Sequence, residues 1–463
     1  MPSFDPTVIH LAKNIHLVGV GGCGMSGIAK VLHEMGFKVS GSDQKEGPNT
    51  IRLKDLGVKI YIGHDGSQVR DSDIIVYTSA AASDNPEIIE AQSKGIPCLK
   101  RAEMLAWIMD QSNQRIAVAG THGKTTTTAM IAKILEMNRL QPTFFIGCDM
   151  DYVDGNARLG GGNFVVAEAD ESDSSFLYYT PTVEVITNIE ADHMEHFGSM
   201  ETLLATFNKF IDRLSPKGKI VLDAGDRHNQ ELMARPGIDF ITYGFETGFD
   251  YCAINQKYDS FSSNYTLLKK GERIGEVSLS VPGWQNILNS LAAVAVGELC
   301  GVDLPQISRA LHSFVGARRR FSTVGDFKGI LIIDDYAHHP TEIKATLSAA
   351  RTGWPGRRII CIFQPHRFSR TLLLKDKFGS AFEDADKIII TDIYAASEQP
   401  IQGITGKTIA DLLDQQKTTF VPKKELIAEG LVSELAPGDI VMTLGAGDIY
   451  TVGKEILTRL KMT

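Results

Sequence analysis

The sequence predicts an α/β protein of three successive domains. Three observations carry that expectation. Strand signals alternate with helical stretches through most of the chain, the pattern of parallel sheets covered on both faces. A glycine-rich loop, Gly19–Gly24, follows the first strand, and a second, Gly120–Thr126, follows a strand in mid-chain. The length, 463 residues, fits roughly three domains of ~150 residues each.

Asn14–Val20 reads as a buried strand, followed by glycines and a helix from about Ser26 to Met35. Lys38–Ser42 and Asp73–Ser79 read as further strands, and the pattern fades near Trp107–Asn113. Residues 1–112 are therefore expected to form a Rossmann-like N-terminal domain. Ile116–Ala119 starts a second series, with a helix to about Met137 and strands at Phe164–Ala169 and Val183–Asn188. Between Phe240 and Pro282 the period shifts to short β segments, with a turn at Lys269–Gly271; Gln285–Gly297 then reads as a helix. Residues 113–322 are expected to form a central P-loop ATPase-like domain with a small β element. A third series starts near Phe321, with strand candidates Gly329–Asp335, Arg358–Gln364, Lys387–Tyr394 and Asp439–Leu444. Residues 323–463 are thus expected to form a C-terminal Rossmann-like domain.

Composition narrows the function. Apolar residues make up 43% and charged residues 22%, the balance of a soluble globular protein. The net charge of −9 argues against a dedicated nucleic-acid binder, but a local pocket can still be basic. Six cysteines lie scattered without a CxxC pair, which fits small buried hydrophobes in a reducing compartment. Met1–Lys13 has no apolar h-region, and the longest apolar stretch, around Leu291–Val296, is too short to span a bilayer. The expectation is a cytoplasmic enzyme with no membrane insertion.

The two glycine loops suit different ligands. Gly19, Gly21, Gly22 and Gly24, with Cys23 among them, sit between a strand and a helix. There the backbone can approach a diphosphate, with Asp43 at the next strand end in range of a ribose hydroxyl. In Gly120-Thr121-His122-Gly123-Lys124-Thr125-Thr126 the layout is a phosphate-binding loop. Amides would cradle phosphate oxygens, Lys124 would offset their charge and Thr125 would bind Mg²⁺. Two residues separate its glycines instead of the general four. One site can thus hold a substrate with a diphosphate, and the other ATP.

Polar clusters end the following strands. Glu168 in Glu168–Asp173 sits where Mg²⁺ would need a carboxylate, while Ser172 or Asp173 can cap the next helix. His193, closing Asn188–His193, is a metal-ligand or structural histidine. His338 and His339 are adjacent, so their side chains should diverge, which argues against a closed zinc site. Arg367 and Arg370 would share a helix face and could grip a carboxylate or phosphate. The first loop alone would fit a dinucleotide-dependent dehydrogenase, which leaves the Gly-Lys-Thr loop and the arginine pair unexplained; a non-catalytic nucleotide switch is a further reading, which requires ATP turnover uncoupled from any second substrate.

These blocks together resemble the Mur ligase family, the ATP-dependent amide-forming ligases of peptidoglycan precursor synthesis. The carriers are Gly19–Gly27, Gly41–Asp43, Gly120–Thr126, Glu168–Asp173, Thr187–His193, Asp334–Pro340 and Phe363–Thr371, spread over nearly the whole chain. The short phosphate loop is the family's own form. The resemblance implies ATP and Mg²⁺ as cofactors and UDP-N-acetylmuramate and L-alanine as substrates, joined through an acyl phosphate. A ligase adding a murein tripeptide to the same sugar nucleotide is the alternative within the family. It implies that the first loop, Asp43, Ser79 and His122 hold the UDP substrate. Gly120–Thr126 would bind ATP, with Asn286 and Asn289 on the adenine side. Thr125, Glu168 and His193 would bind metal. Tyr336, His338, Arg367 and Arg370 would address the amino acid and the acyl group, with His338 a candidate base. Two positions depart from the family pattern: Trp284-Gln285 precede Asn286 where x-His is usual, and Glu190 replaces a common Asp.

Overall fold

The computed structural model describes residues 7–82, 84–150 and 153–462; the first six residues of the N-terminal stretch read above lie outside them. It contains three sheets. The chain divides into two compact units: Met1–Cys252 with Lys269–Gly271 and Asn289–Ala310, and Ala253–Leu268 with Glu272–Leu288 and Leu311–Thr463.

The first unit holds the five-stranded sheet and most strands of the ten-stranded one. Five parallel strands run in the order Lys59–Ile62, Lys38–Asp43, Asn14–Val18, Ile74–Tyr77, Cys98–Lys100. The order reverses direction beside the Asn14–Val18 strand, which makes the loop after it, Gly19–Gly22, a switch-point loop. In the second sheet Phe240–Gly244, Lys219–Asp223, Val183–Ile186, Gln114–Ala119, Phe164–Glu168 and Thr143–Met150 are neighbours in that order and parallel. Gly155–Arg158 adds an antiparallel edge to Thr143–Met150. Leu17, Val76, Ala117, Val165, Phe207 and Phe210 belong to one apolar core.

The second unit contains most of the small β element, strands Tyr251–Asp259, Ser262–Lys269 and Glu272–Leu279, and a six-stranded sheet. The sheet order is Ser322–Phe327, Ile330–Asp335, Ile440–Leu444, Ile359–Phe363, Lys387–Ile390, Thr418–Phe420, with the first strand antiparallel. Its central strands Ile330–Asp335, Ile440–Leu444 and Ile359–Phe363 are buried at every position because both faces are covered, with Asp334, Asp335 and Thr443 their polar members. Leu331 and Ile333 join one core with Phe363 and Phe378, while Ile330 and Ile332 join another with Ile456 and Leu460.

The structure adds strands that the sequence pattern does not announce. Gly155–Arg158 is polar and Cys98–Lys100 is three residues long, so neither has a readable period. Thr143–Met150 is broken by Gly147, which weakens any strand signal. The cysteines correct an expectation: only Cys252 and Cys361 are buried, while the other four free thiols are half-buried. No described helix is long and apolar enough to cross a membrane.

Glu184 is a further polar member of a buried central strand. It sits in Val183–Ile186, fully buried, and neither carboxyl oxygen has a hydrogen-bond partner among the described residues. Burial pushes its pKa well above the ordinary value, with Arg235 only partly opposing. The folded protein therefore holds this proton to a higher pH than the unfolded chain does. Stability should fall as pH rises past the unfolded value of about 4.3, by about 1.4 kcal/mol per pH unit, until the raised native pKa is reached. Glu184→Gln cannot titrate. Urea unfolding between about pH 5 and about pH 8 is expected to show the variant gaining on the native protein as pH rises; a constant gap would mean that native Glu184 is ionised.

Candidate functional site

The first unit brings both glycine loops to strand C-terminal ends. Gly19 adopts φ +80°, and a Cβ there would meet the Thr78 side chain at 2.7 Å. That contact sets the first loop against the end of the Ile74–Tyr77 strand, beside exposed Ser79. Gly22 caps the Cys23–Glu34 helix without a side-chain hydrogen bond, so the turn relies on the helix's own amides. Asp43 Oδ2 accepts the Gly21 N–H at 2.8 Å. Asp43 thus braces the loop directly, a role that spacing alone does not reveal.

The phosphate loop is held from the neighbouring strand end. Thr121 N–H donates to Asn188 O at 2.8 Å, and His122 N–H to Asn188 Oδ1 at 2.9 Å. The Thr187 hydroxyl donates to His122 O at 2.6 Å. Gly120 and Gly123 take φ of +123° and +82°, a backbone region that favours glycine, and Gly123 opens the Lys124–Met137 helix. His122 Nε2 lies 3.4 Å from Glu190 Oε2, and Thr126 is half-buried on the helix's first turn.

Lys124 Nζ donates to Gly120 O at 2.6 Å, Thr121 O at 3.1 Å and Glu171 Oε1 at 3.0 Å. Burial opposes its charge, but Glu171, Asp170 and Glu168 outweigh that and raise its pKa above the ordinary value. Burial pushes Glu171 up to about 7, although Lys124 pulls it back. Glu171 is the residue that the sequence reading missed here; its signal was its place in the Glu168–Asp173 block. The Thr125 hydroxyl donates to both Glu168 oxygens, at 3.1 and 3.0 Å. Glu168 Oε2 also accepts the Gly147 N–H at 2.8 Å. A Cβ on Gly147 would run into Glu168 and approach Thr125 Oγ1 to 2.9 Å, so glycine keeps the space beside these oxygens open. Hard oxygens around an open space fit a magnesium ion, which takes few protein ligands. His193 starts the Met194–Phe197 helix at φ +55°, with Asp192 and Glu195 oxygens each 3.7 Å from its ring nitrogens. Asp173 accepts from Ser175 N–H at 3.0 Å, but the N-cap of the short Ser175–Tyr178 helix is Ser174, without a side-chain hydrogen bond, so the cap expected at Ser172 or Asp173 does not form. Asn289 Oδ1 accepts from Thr127 Oγ1 at 3.2 Å and faces Gly123.

The second unit gathers another cluster at strand C-terminal ends. His338 and His339 do diverge. His339 caps the Pro340–Gly353 helix, its Nδ1 accepting Thr341 N–H at 3.3 Å. The His338 ring packs edge-on against Tyr336 at 5.3 Å and His366 at 5.7 Å. Its Nδ1 lies 3.3 Å from Glu342 Oε2. Arg367 sits at the N-cap of the Phe368–Phe378 helix with φ +69°, and Arg370, on its first turn, is buried. Arg370 Nη1 lies 3.4 Å from His366 Nδ1, and the His366 ring stacks on Tyr394 at 5.6 Å. Tyr336 lies under two further guanidinium groups, Arg319 at 5.2 Å and Arg320 at 5.3 Å. Arg319 is fixed by Asp334 Oδ2 at 3.0 Å and Gly445 O at 2.6 Å. Sequence reasoning passed over Arg319, Arg320 and His366; the Arg318–Arg320 run was the available signal for two of them. In the same unit Asn286 Nδ2 donates to Pro282 O at 2.7 Å. Gln285 folds over Gly283, its Oε1 buried and without a partner among the described residues. An acceptor is therefore present where the family pattern has histidine.

Three family models match the chain in succession. They are the Mur ligase family catalytic domain over residues 14–113, the Mur ligase middle domain over 118–297 and the Mur ligase glutamate ligase domain over 319–447. The chain is 45% identical over 455 residues to the UDP-N-acetylmuramate–L-alanine ligase of Pelobacter propionicus, covering 97% of this chain and 99% of that protein. Its identity to the ligase of the same name from Desulforamulus reducens is 46% over 455 residues, 97% and 98% of the two chains. Among solved structures it is similar to the UDP-N-acetylmuramate-alanine ligase of Thermotoga maritima, with a TM-score of 0.82 and 32% identity over 97% and 99% of the chains. A murein peptide ligase of Psychrobacter arcticus shares the fold, with a TM-score of 0.71 and 24% identity over 97% and 98%.

The His366 environment generates a prediction. Burial, His338, Arg370 and Arg367 together push its pKa down to about 3. Its imidazole should stay neutral from about pH 5 to about pH 8, unlike an ordinary histidine. Imidazole NMR shifts are expected to be flat over that range, and Arg370→Ala should move the titration upward. An inflection near neutrality in the native protein would show that neither burial nor the neighbouring cations hold the ring neutral.

Proposed function

The chain belongs to the Mur ligase family, and on that premise we propose that it joins L-alanine to the carboxylate of UDP-N-acetylmuramate, converting ATP to ADP and phosphate. The observation that carries this reading is the 45% identity across 97% of the chain with a ligase named for that reaction. The product serves peptidoglycan precursor synthesis, which places the work in the cytoplasm. A division into 1–112, 113–322 and 323–463 would give each substrate its own binding region.

The chemistry sets what the residues must do. A carboxylate is a poor acyl donor, so the γ-phosphoryl of ATP converts it to an acyl phosphate. The alanine amine attacks that carbonyl, and phosphate leaves the tetrahedral intermediate. The loop Gly19–Gly24, Asp43, Ser79 and His122 hold the UDP substrate. The amides of Gly120–Thr126 cradle ATP phosphates, and Asn286 and Asn289 serve the adenine side. Lys124 must leave the loop carbonyls and Glu171 to meet the phosphates, so its present partners keep it charged and nearby. Thr125 and Glu168, supported by their shared hydrogen bonds, would hold magnesium, with His193 a further ligand. When bound, magnesium offsets the negative charge that sets carboxylate and phosphate apart. Arg367 and Arg370 grip the amino-acid carboxylate through forked hydrogen bonds. Tyr336 and His338 line the same cluster, and His338 can take the amine proton. Neutral His366 adds an acceptor without another charge.

The tripeptide-adding alternative has weaker support, a solved ligase of that kind being 28% identical over 66% of this chain against 45% over 97% for the alanine ligase. A coupled phosphate-release assay decides between them. With ATP and UDP-N-acetylmuramate, turnover is expected with L-alanine and not with the murein tripeptide; the reverse would overturn the assignment. Lys124→Ala should cut ligation by several orders of magnitude, since the charge that steadies the transferring phosphoryl is lost, while calorimetry shows UDP-substrate binding retained. Survival of turnover in that variant would remove Lys124 from the site.

A further inference from the structure

One peptide links the two glycine loops. The Cys23 thiol, on the first loop, donates to Gly147 O at 3.1 Å. The N–H of the same Gly147 donates to Glu168 Oε2 at 2.8 Å, and Glu168 is bonded to Thr125 of the phosphate loop. Burial pushes the Cys23 thiol up to about 12, so it remains a protonated donor. Asn156 clamps the junction from the side: its Nδ2 lies 3.0 Å from Cys23 O, 3.2 Å from Cys23 Sγ and 3.0 Å from Ile146 O.

The surroundings make this a stiff connection. The hairpin that carries Gly147 is tied to the N-terminal helices by Lys30 Nζ on Asp154 O at 2.7 Å and by Arg52 on Asp149 at 2.7 Å. Gly27 has no room for a Cβ, which would lie 2.9 Å from that of Ala157. Gly147 itself cannot gain a side chain without displacing Glu168. A small shift of the first loop therefore has no soft element to absorb it before it reaches the Glu168 carboxylate.

We propose that Cys23, Gly147 and Asn156 are positioning residues that couple the UDP-substrate loop to the Thr125–Glu168 site, so that filling either site strengthens binding at the other. A diphosphate on the first loop orders Cys23, Cys23 orders the Gly147 peptide, and that peptide aims Glu168. The second ligand then meets a site already ordered and loses less conformational entropy. The coupling must be reciprocal. The inference rests on the assignment of UDP-N-acetylmuramate and Mg-ATP to these loops.

The test is calorimetry of UDP-N-acetylmuramate binding to the full chain, with and without saturating Mg²⁺ and a non-hydrolysable ATP analogue. The ratio of the two affinities measures coupling, whatever a variant does to each affinity alone. A ratio of about fivefold or more is expected for the native protein. Cys23→Ala and Asn156→Ala should bring it toward one. Cys23→Ser, which keeps a donor, should restore it, an outcome that mere loss of packing would not give. A native ratio of one, or full coupling in both alanine variants, would overturn the inference. Absence of any UDP-N-acetylmuramate binding to the native protein would instead overturn the functional assignment, and this inference with it.

Discussion

The phosphate loop keeps its shape because a neighbouring strand end satisfies its backbone. A loop built to present amides to a ligand cannot bond those amides to itself, and unpaired buried peptide groups are costly. The Thr187–Asn188 segment resolves this on the loop's far side. It takes the N–H groups of Thr121 and His122 and donates to the His122 carbonyl. The loop is thereby held open while the start of the Lys124–Met137 helix remains available. Lys124 and Thr125, which open that helix, take their positions from that arrangement.

A second constraint is electrostatic. Both polar clusters concentrate like charges beside buried strand ends, and each has a way of containing them. In the first unit Lys124 lies among Glu168, Asp170 and Glu171, which keep it charged despite burial. In the second unit burial, with His338, Arg370 and Arg367 nearby, keeps His366 neutral. Tyr336 presents its ring to Arg319 and Arg320, whose guanidinium groups are also paired with Asp334 and Glu342. An anionic group entering the second cluster would meet guanidinium groups already held by their neighbours, and pre-fixed charge needs little reorganisation.

Legibility followed local pattern. The Lys124–Met137 helix, the Ile330–Asp335 strand and both glycine loops were readable because each has its period or its turn residues within a short window. The divergence of His338 and His339 was readable from their adjacency. Three kinds of feature were not. Short or polar edge strands such as Gly155–Arg158 have no period of their own and exist because a neighbouring strand offers hydrogen bonds. Glu171 and His366 sat inside motif blocks, but only folding shows which member of a block meets Lys124 or Arg370. The Cys23–Gly147 contact joins residues 124 apart in sequence, beyond any spacing rule.

Sequence alone determined the class of the fold, its more strongly patterned strands and helices and the chemistry available at the strand ends that carry the motifs. Those properties depend on residue type and on periods a few residues long. Tertiary structure decided which side chains became partners: Asp43 on the Gly21 amide, Glu171 on Lys124, Gly147 between Cys23 and Glu168. Such pairings depend on sheet order and on how closely two backbones approach. Both are settled by the packing of the whole core rather than by any short segment.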